Sequence, residues 1–136
     1  FQYRFKMSSM KQCIQTPDAP PLPFSQAVRV GNMIYLSGVI GTAPGKAQLP
    51  EGVEAQAHQA LKNIGTVLKG AGVGYEDVVK NTVLLKSIDD FAALNNVYKQ
   101  YFVENFPART CYQVANLPFN ALVEIETIAC VGKAKL

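Results

Sequence analysis

Arg109 and one of the pair Glu124 and Glu126 are the side chains of this sequence best suited to do chemistry together. Arg109 stands just after a proline in Asn105-Phe-Pro-Ala-Arg-Thr-Cys-Tyr-Gln-Val-Ala-Asn-Leu-Pro118, at the mouth of an apolar, β-prone run. Its guanidinium is a fixed cation whose planar fork matches a carboxylate. Glu124 and Glu126 follow in Val123-Glu-Ile-Glu126, two apart and therefore on one face of what reads as the next strand. A glutamate at a cleft can hold a water and shuttle a proton. Cation and carboxylate together describe a site for a small acid that needs proton transfer. The ordinary fates are a surface ion pair for Arg109 and solvation for the paired acids. Against the first, Phe106-Pro107-Ala108 fixes the approach and apolar residues follow, which puts the guanidinium at a cleft. The residues alone do not choose between Glu124 and Glu126.

Other reactive side chains carry less. Cys111 has no histidine beside it and reads as a buried, inert thiol. Ser37, in Tyr35-Leu-Ser-Gly38, lacks the G-x-S-x-G context of a nucleophile and fits a hydroxyl at a strand end that orients substrate. Asn95 and Asn96 lie in a helical pattern, where amides usually face solvent. Gly70-Ala-Gly-Val-Gly74 follows a helix instead of opening one, so it ends that helix and binds no phosphate. Cys13, Cys111 and Cys130 form an odd set without CxxC spacing, and His58 is the lone histidine. A disulfide framework and a metal site are both disfavoured, and a reducing compartment fits best.

At 136 residues the chain is one domain's worth, with 49% hydrophobic and 17% charged residues. That composition excludes disorder and is consistent with buried subunit contacts. The net charge of +3 is small and scattered, without the basic stripe of a nucleic-acid binder. No apolar run reaches the roughly 20 residues that span a membrane. Met7 reads as an initiator, with Phe1 to Lys6 an upstream remnant. The basic stretch from Arg4 to Lys11 resembles the tail of a mitochondrial targeting peptide. Residues 1–15 are then an extension or remnant, and 16–136 a single domain.

The elements that must position the candidate residues alternate. Pro17-Asp-Ala-Pro-Pro-Leu-Pro23 is an extended lead-in. Ala27 to Val30, Gly31-Asn32 and Met33 to Ser37 form a tight hairpin whose turn pair takes positive φ angles. Gly38 to Gly52 is a loop. Val53 to Lys69 repeats apolar residues at helical spacing and is ended by Gly70. Asp77 to Leu85 is a buried strand. A second helix runs from about Asp89 to Phe102, capped by Ser87 or Asp89, with Phe91, Leu94, Tyr98, Tyr101 and Phe102 inward. Strands Thr110 to Ala115 and Leu122 to Val131 close the chain. The order ββαβαββ predicts an α+β domain with a mixed sheet and both helices on one face. The opposite face is expected to be apolar too, because Val79, Val83, Leu85 and their neighbours offer apolar residues on both sides, and to be buried against another subunit.

Phe106-Pro-Ala-Arg109 with Val123-Glu-Ile-Glu126, and with Phe24-Ser-Gln-Ala-Val28, Ile34-Tyr-Leu-Ser-Gly38, Gln59-Ala-Leu-Lys-Asn63, Val78-Val-Lys-Asn-Thr-Val83, Asp89-Asp-Phe91 and Tyr98-Lys-Gln-Tyr-Phe102, resembles the Rid family (reactive intermediate deaminases, or YjgF family). The resemblance runs from about Thr16 to Val131. It implies a chorismate-mutase-like α+β fold, a homotrimer with sites between subunits, and hydrolysis of 2-imino and 2-enamino acids to 2-oxo acids and ammonia without a cofactor. From the cysteines and the basic N-terminal stretch the expected compartment is cytoplasm or mitochondrion, and hydropathy and charge make neither membrane nor nucleic acid an expected partner. By position, Arg109 holds the substrate carboxylate, Glu124 places the water and relays protons, and Cys111, Ser37, Asn95 and Phe24 line the pocket. The family usually has Gly-Pro-Tyr-Ser-Gln where this chain has Leu22-Pro-Phe-Ser-Gln26, so Phe24 lacks a pocket hydroxyl. Val39 replaces a usual glutamine. The lost hydroxyl predicts a slower or altered enzyme, with a non-catalytic binding trimer or an endoribonuclease as alternative functions.

Overall fold

A computed structural model of the protein describes residues 10–132. The readings of Met7 and of Phe1 to Lys6 concern residues outside that span. Seven strands are described: β1 (Lys11–Ile14), β2 (Ala27–Val30), β3 (Met33–Leu36), β4 (Val39–Ile40), β5 (Val78–Leu85), β6 (Ala108–Gln113) and β7 (Val123–Cys130). They form one sheet in the order β1-β2-β3-β7-β5-β6, with β4 also pairing β7. The helices are α1 (Val53–Gly70) and α2 (Phe91–Tyr98). Every strand pair is antiparallel except β5–β6, which α2 connects as a crossover. The fold is α+β with a mixed sheet, and the expected order gains two short strands. β1 comes from the segment assigned to the N-terminal extension and pairs with β2, Cys13 opposite Val28. β4 has only two residues, too few to show a period in the sequence.

One face of the sheet makes the core. Ile34, Leu36, Val83, Leu85, Val123, Ile125 and Ala129 alternate along their strands and pack under Ala57, Leu61, Ile64 and Leu68 of α1 and Leu94 and Val97 of α2. A bulge between Val78 and Lys80 lets both Val78 and Asn81 face inward. α1 ends one residue later than expected, at Gly70. Gly72 takes φ 80°, and the Val73 N–H donates to the Leu68 carbonyl, as in a Schellman cap. In the hairpin turn only Gly31 has a positive φ, 59°; Asn32 does not. α2 is shorter than expected, preceded by a single 3-10 turn that Ser87 caps by accepting from the Asp89 N–H. Its Phe91 is exposed instead of inward, and Val97 takes a core position. His58 sits at the core edge, its Nδ1 3.0 Å from the Tyr101 hydroxyl.

The second face differs from the expectation. Val83 and Leu85 point to the helices, not away from them. The outward row is mixed: Val28, Tyr35, Leu84, Ile128 and Tyr112 alternate with Lys80, Thr82, Thr110, Glu124 and Glu126. No described helix is long and apolar enough to cross a membrane.

Gln56 ties the loops to this frame. Its amide donates to the Pro50 carbonyl at 3.0 Å and its oxygen accepts from the Leu122 N–H at 2.8 Å. Gly41 is buried so closely on Gln56 that a Cβ would press into the helix backbone, which cannot rotate away. Gly41→Ala should therefore lower stability by about 1–3 kcal/mol, read as an earlier urea midpoint with an unchanged slope.

Candidate functional site

Arg109 lies on β6, which runs parallel to β5 with Arg109 beside Asn81 and Cys111 beside Val83. Those β5 residues face the helices, so Arg109 and Cys111 do as well. The guanidinium carbon stands 4.7 Å from the Tyr98 ring centre and 5.5 Å from that of Phe91, between two aromatic faces of α2. Asn95, four residues after Phe91 and three before Tyr98, shares that side of the helix. Tyr98 is itself held from the core: its hydroxyl accepts from Asn81 Nδ2 at 2.9 Å, and Asn81 Oδ1 accepts from the Thr127 hydroxyl at 2.7 Å. Asn81 and Thr127 are buried, and their mutual bonds satisfy the polar groups that burial would otherwise leave bare. Burial pushes the Cys111 thiol up, only partly opposed by Arg109, so the group stays a thiol.

Glu124 lies on the other face. It pairs across the sheet with Ile40 and Leu84, and Leu84 in turn with Tyr112. Its carboxylate packs directly on Gly38, where any Cβ would collide with Oε1. Burial raises its carboxyl above the usual range, and the negative charge of Glu126 on the same face raises it further. It opens into a cleft of about 670 Å³ whose walls include Phe24, Ser37, Gly38, Ile40 and Phe119. The Ser37 hydroxyl donates to the Ser25 carbonyl at 2.6 Å, fixing the lead-in and leaving the oxygen as an acceptor only. Gly38 and Phe119 were not legible as site residues. Gly38 follows from packing alone, and Phe119 stands in a segment that reads simply as a turn.

The candidate residues thus fall into two sets. Phe24, Ser37 and Glu124 share the cleft, while Arg109, Cys111 and Asn95 gather at α2. Two strand spacings and three residues along the sheet separate Arg109 from Glu124, about 14 Å between backbones, and the side chains leave opposite faces. The first set can hold a water and a proton; the second can hold a carboxylate. Among the described residues no group of His, Cys, Asp and Glu is placed to hold a metal ion.

Comparison with known proteins shows what the whole chain is similar to. A model of the family described as Endoribonuclease L-PSP matches residues 14–131. A goat protein named 2-iminobutanoate/2-iminopropanoate deaminase is 54% identical over 130 residues, 93% of this chain and 95% of that one. Its human counterpart of the same name is 52% identical over the same shares. The crystal structure of RidA from an Antarctic Psychrobacter superposes with a TM-score of 0.84 at 44% identity, covering 88% of this chain and 99% of that one.

The raised Glu124 carboxyl has a consequence for stability. Below the ordinary carboxylate range the group is protonated both folded and unfolded, and no charge is penalised. As the pH rises through the raised folded value, the half-buried charge appears and stability is lost. Glu124→Gln should match the parent in acid-side urea melts and exceed it at pH 7. Equal midpoints at both pH values would mean the folded carboxylate is as well solvated as the unfolded one.

Proposed function

The chain belongs to the Rid family, and from that premise we propose that it hydrolyses 2-imino and 2-enamino acids, such as 2-iminobutanoate and 2-iminopropanoate, to 2-oxo acids and ammonia. The observation that carries the reading is the division of the candidate residues between two sheet faces. Each set is half of a site for an imino acid, and a second copy of the chain supplies the other half. The mixed outer face, with Val28, Tyr35, Leu84 and Ile128 among its polar residues, is the surface that such an assembly covers. The assembly is a homotrimer with its sites between subunits.

In that cleft Arg109 of one subunit grips the substrate carboxylate with its fork. Its aromatic clamp by Tyr98 and Phe91 holds it in place before substrate arrives. Asn95 and Cys111 line the same wall. Glu124 of the neighbouring subunit, with Ser37 and Phe24 beside it, holds a water against C2. The water oxygen forms a bond to C2, the C=N π pair moves to nitrogen, and Glu124 takes the proton the water gives up. Glu124 then returns that proton to nitrogen. As the C–N bond breaks and its pair leaves with nitrogen, the hydroxyl proton passes through Glu124 to that nitrogen, so ammonia departs and the oxygen becomes the 2-oxo group. A 2-enamino acid joins the path once a proton has moved to C3. Water is the only co-reactant, so no cofactor enters. A carboxyl raised by burial and by Glu126 suits both the base and the acid step, because it binds the transferred proton more tightly than a solvated carboxylate would. An imine hydrolyses unaided in water, so orientation and one proton relay suffice.

Release of 2-oxo acid from 2-iminobutanoate made in situ tests the activity. Arg109→Ala and Glu124→Gln should each abolish acceleration over the spontaneous rate. Unfolded together and refolded as mixed trimers, they should regain it, because about a quarter of randomly formed clefts unite an intact Arg109 with an intact Glu124. Two inactive variants that stay inactive when co-assembled would place Arg109 and Glu124 in separate sites. Light scattering checks the trimer.

A further inference from the structure

The geometry points to a substrate class: this cleft selects 2-imino acids with bulky apolar side chains, branched or aromatic, over those with one or two side-chain carbons. The inference rests on the deaminase reading and deepens it. Three large apolar side chains, Leu22, Phe24 and Phe119, converge on the cleft that Glu124 opens into, and they are 46%, 45% and 62% exposed. A single exposed apolar residue is ordinary, but three on one concave wall above a carboxylate mark a binding surface.

Phe119 carries the argument furthest. It takes φ 57° and ψ 22°, the left-handed region, with Asn120 following at φ 58°. Asparagine tolerates that conformation; phenylalanine is a steric outlier there. Within the single chain no burial offsets the strain, because the ring is mostly exposed there. Strain held without a packing gain belongs to a site that uses the side chain. The lead-in that lines the same cleft is stiff. Pro20, Pro21 and Pro23 restrict its backbone, the Leu22 N–H donates to Pro20 O and the Phe24 N–H to Leu22 O, both at 2.8 Å. Leu22 and Phe24 therefore face the cleft from a pre-set wall.

Size agrees. In the single chain the cleft is about 670 Å³, to be shared between the substrate and the adjoining subunit's Arg109 wall, and a three-carbon acid alone is far smaller. With the carboxylate at Arg109 of the adjoining subunit and C2 at Glu124, the C2 substituent is the part of the substrate left to occupy the apolar wall. A charged substituent would gain little there, since its hydration would be lost without a partner on these three side chains.

The test is a ratio. Imines are generated in situ by an amino acid oxidase from alanine, leucine and phenylalanine. The kcat/KM for the leucine- and phenylalanine-derived imines should exceed that for 2-iminopropanoate by about tenfold or more. In Phe119→Gly the backbone keeps its left-handed turn without strain, so the fold is not put at risk, and the ratio should fall toward one. Leu22→Ser should move it the same way. A wild-type ratio near one, or a ratio that both variants leave unchanged, overturns the inference. Dissociation of the trimer with an unchanged ratio assigns the wall to the subunit contact and overturns it equally. If no imine is accelerated at all, the deaminase reading fails separately. Calorimetric affinities for pyruvate and 2-oxo-3-phenylpropanoate then decide the wall on their own, with equal affinities counting against it.

Discussion

The pleat of a single sheet keeps Arg109 and Glu124 apart. In-register neighbours share a face, so the ladder from Arg109 through Asn81 to Thr127 points to the helices. The ladder from Tyr112 through Leu84 to Glu124 points away. No rotamer of either side chain carries it through a sheet. A cation for an acid's carboxylate and a carboxylate for its proton can therefore meet only where one chain's helix-side edge meets another chain's open face. Assembly is a condition of the proposed chemistry, set by strand geometry before any interface is considered.

The two half-sites are held by opposite means. Arg109 is kept charged and oriented by aromatic faces, which attract a cation without neutralising it and so leave its fork free for a ligand. A glutamate partner would have satisfied the charge and blocked the fork. Glu124, the proton carrier of the proposed reaction, is instead set by an unfavourable environment. It is half-buried, pressed on Gly38 and faced by Glu126, so that its proton affinity rises. The same burial that costs stability at neutral pH is what suits it to take a proton from water. Tyr98 links the first half-site to the core, where Asn81 and Thr127 complete each other's hydrogen bonds. A buried polar pair on the two central strands is acceptable because it is fully used.

Much of this was legible because period and punctuation survive in the sequence. The alternation through Val123, Ile125, Thr127 and Ala129 marks β7, and the spacing of Ala57, Leu61, Ile64 and Leu68 marks α1. Arg109 and the pair Glu124 and Glu126 stood out because their types fit a reaction and their surroundings are apolar, while the choice of Glu124 came from the family resemblance. What escaped depends on contacts distant in sequence. β1 has no strong pattern of its own and exists through its pairing with β2. Gly38 matters only because the Glu124 carboxylate folds against it. Asn81 reads as a polar interruption in a strand until Tyr98 and Thr127 are seen beside it. Phe119 was hidden for another reason: nothing in Leu117-Pro-Phe-Asn120 announces that a phenylalanine, not only the asparagine, takes the left-handed turn. The second face was expected to be apolar and is mixed, because a sheet apolar on one side and mixed on the other looks continuous when several strands are read in isolation.

Strand β7 joins these threads, because it carries core residues and candidate catalytic residues in strict alternation. A slip of one residue in its pairing would turn Glu124 and Glu126 into the helix-packed core and expose Val123, Ile125 and Ala129. Burying even one uncompensated carboxylate costs several kcal/mol, which is a sizeable share of a small domain's whole stability. The acids therefore specify the register of the strand that presents them, and Thr127 strengthens the specification from the other side, since only the native register sets its hydroxyl against Asn81. A residue pattern that looks like chemistry laid over a fold is, on this strand, also part of what makes the fold unique. Replacing Glu124 would remove a penalty in the native state and, at the same time, part of the penalty that excludes the slipped one.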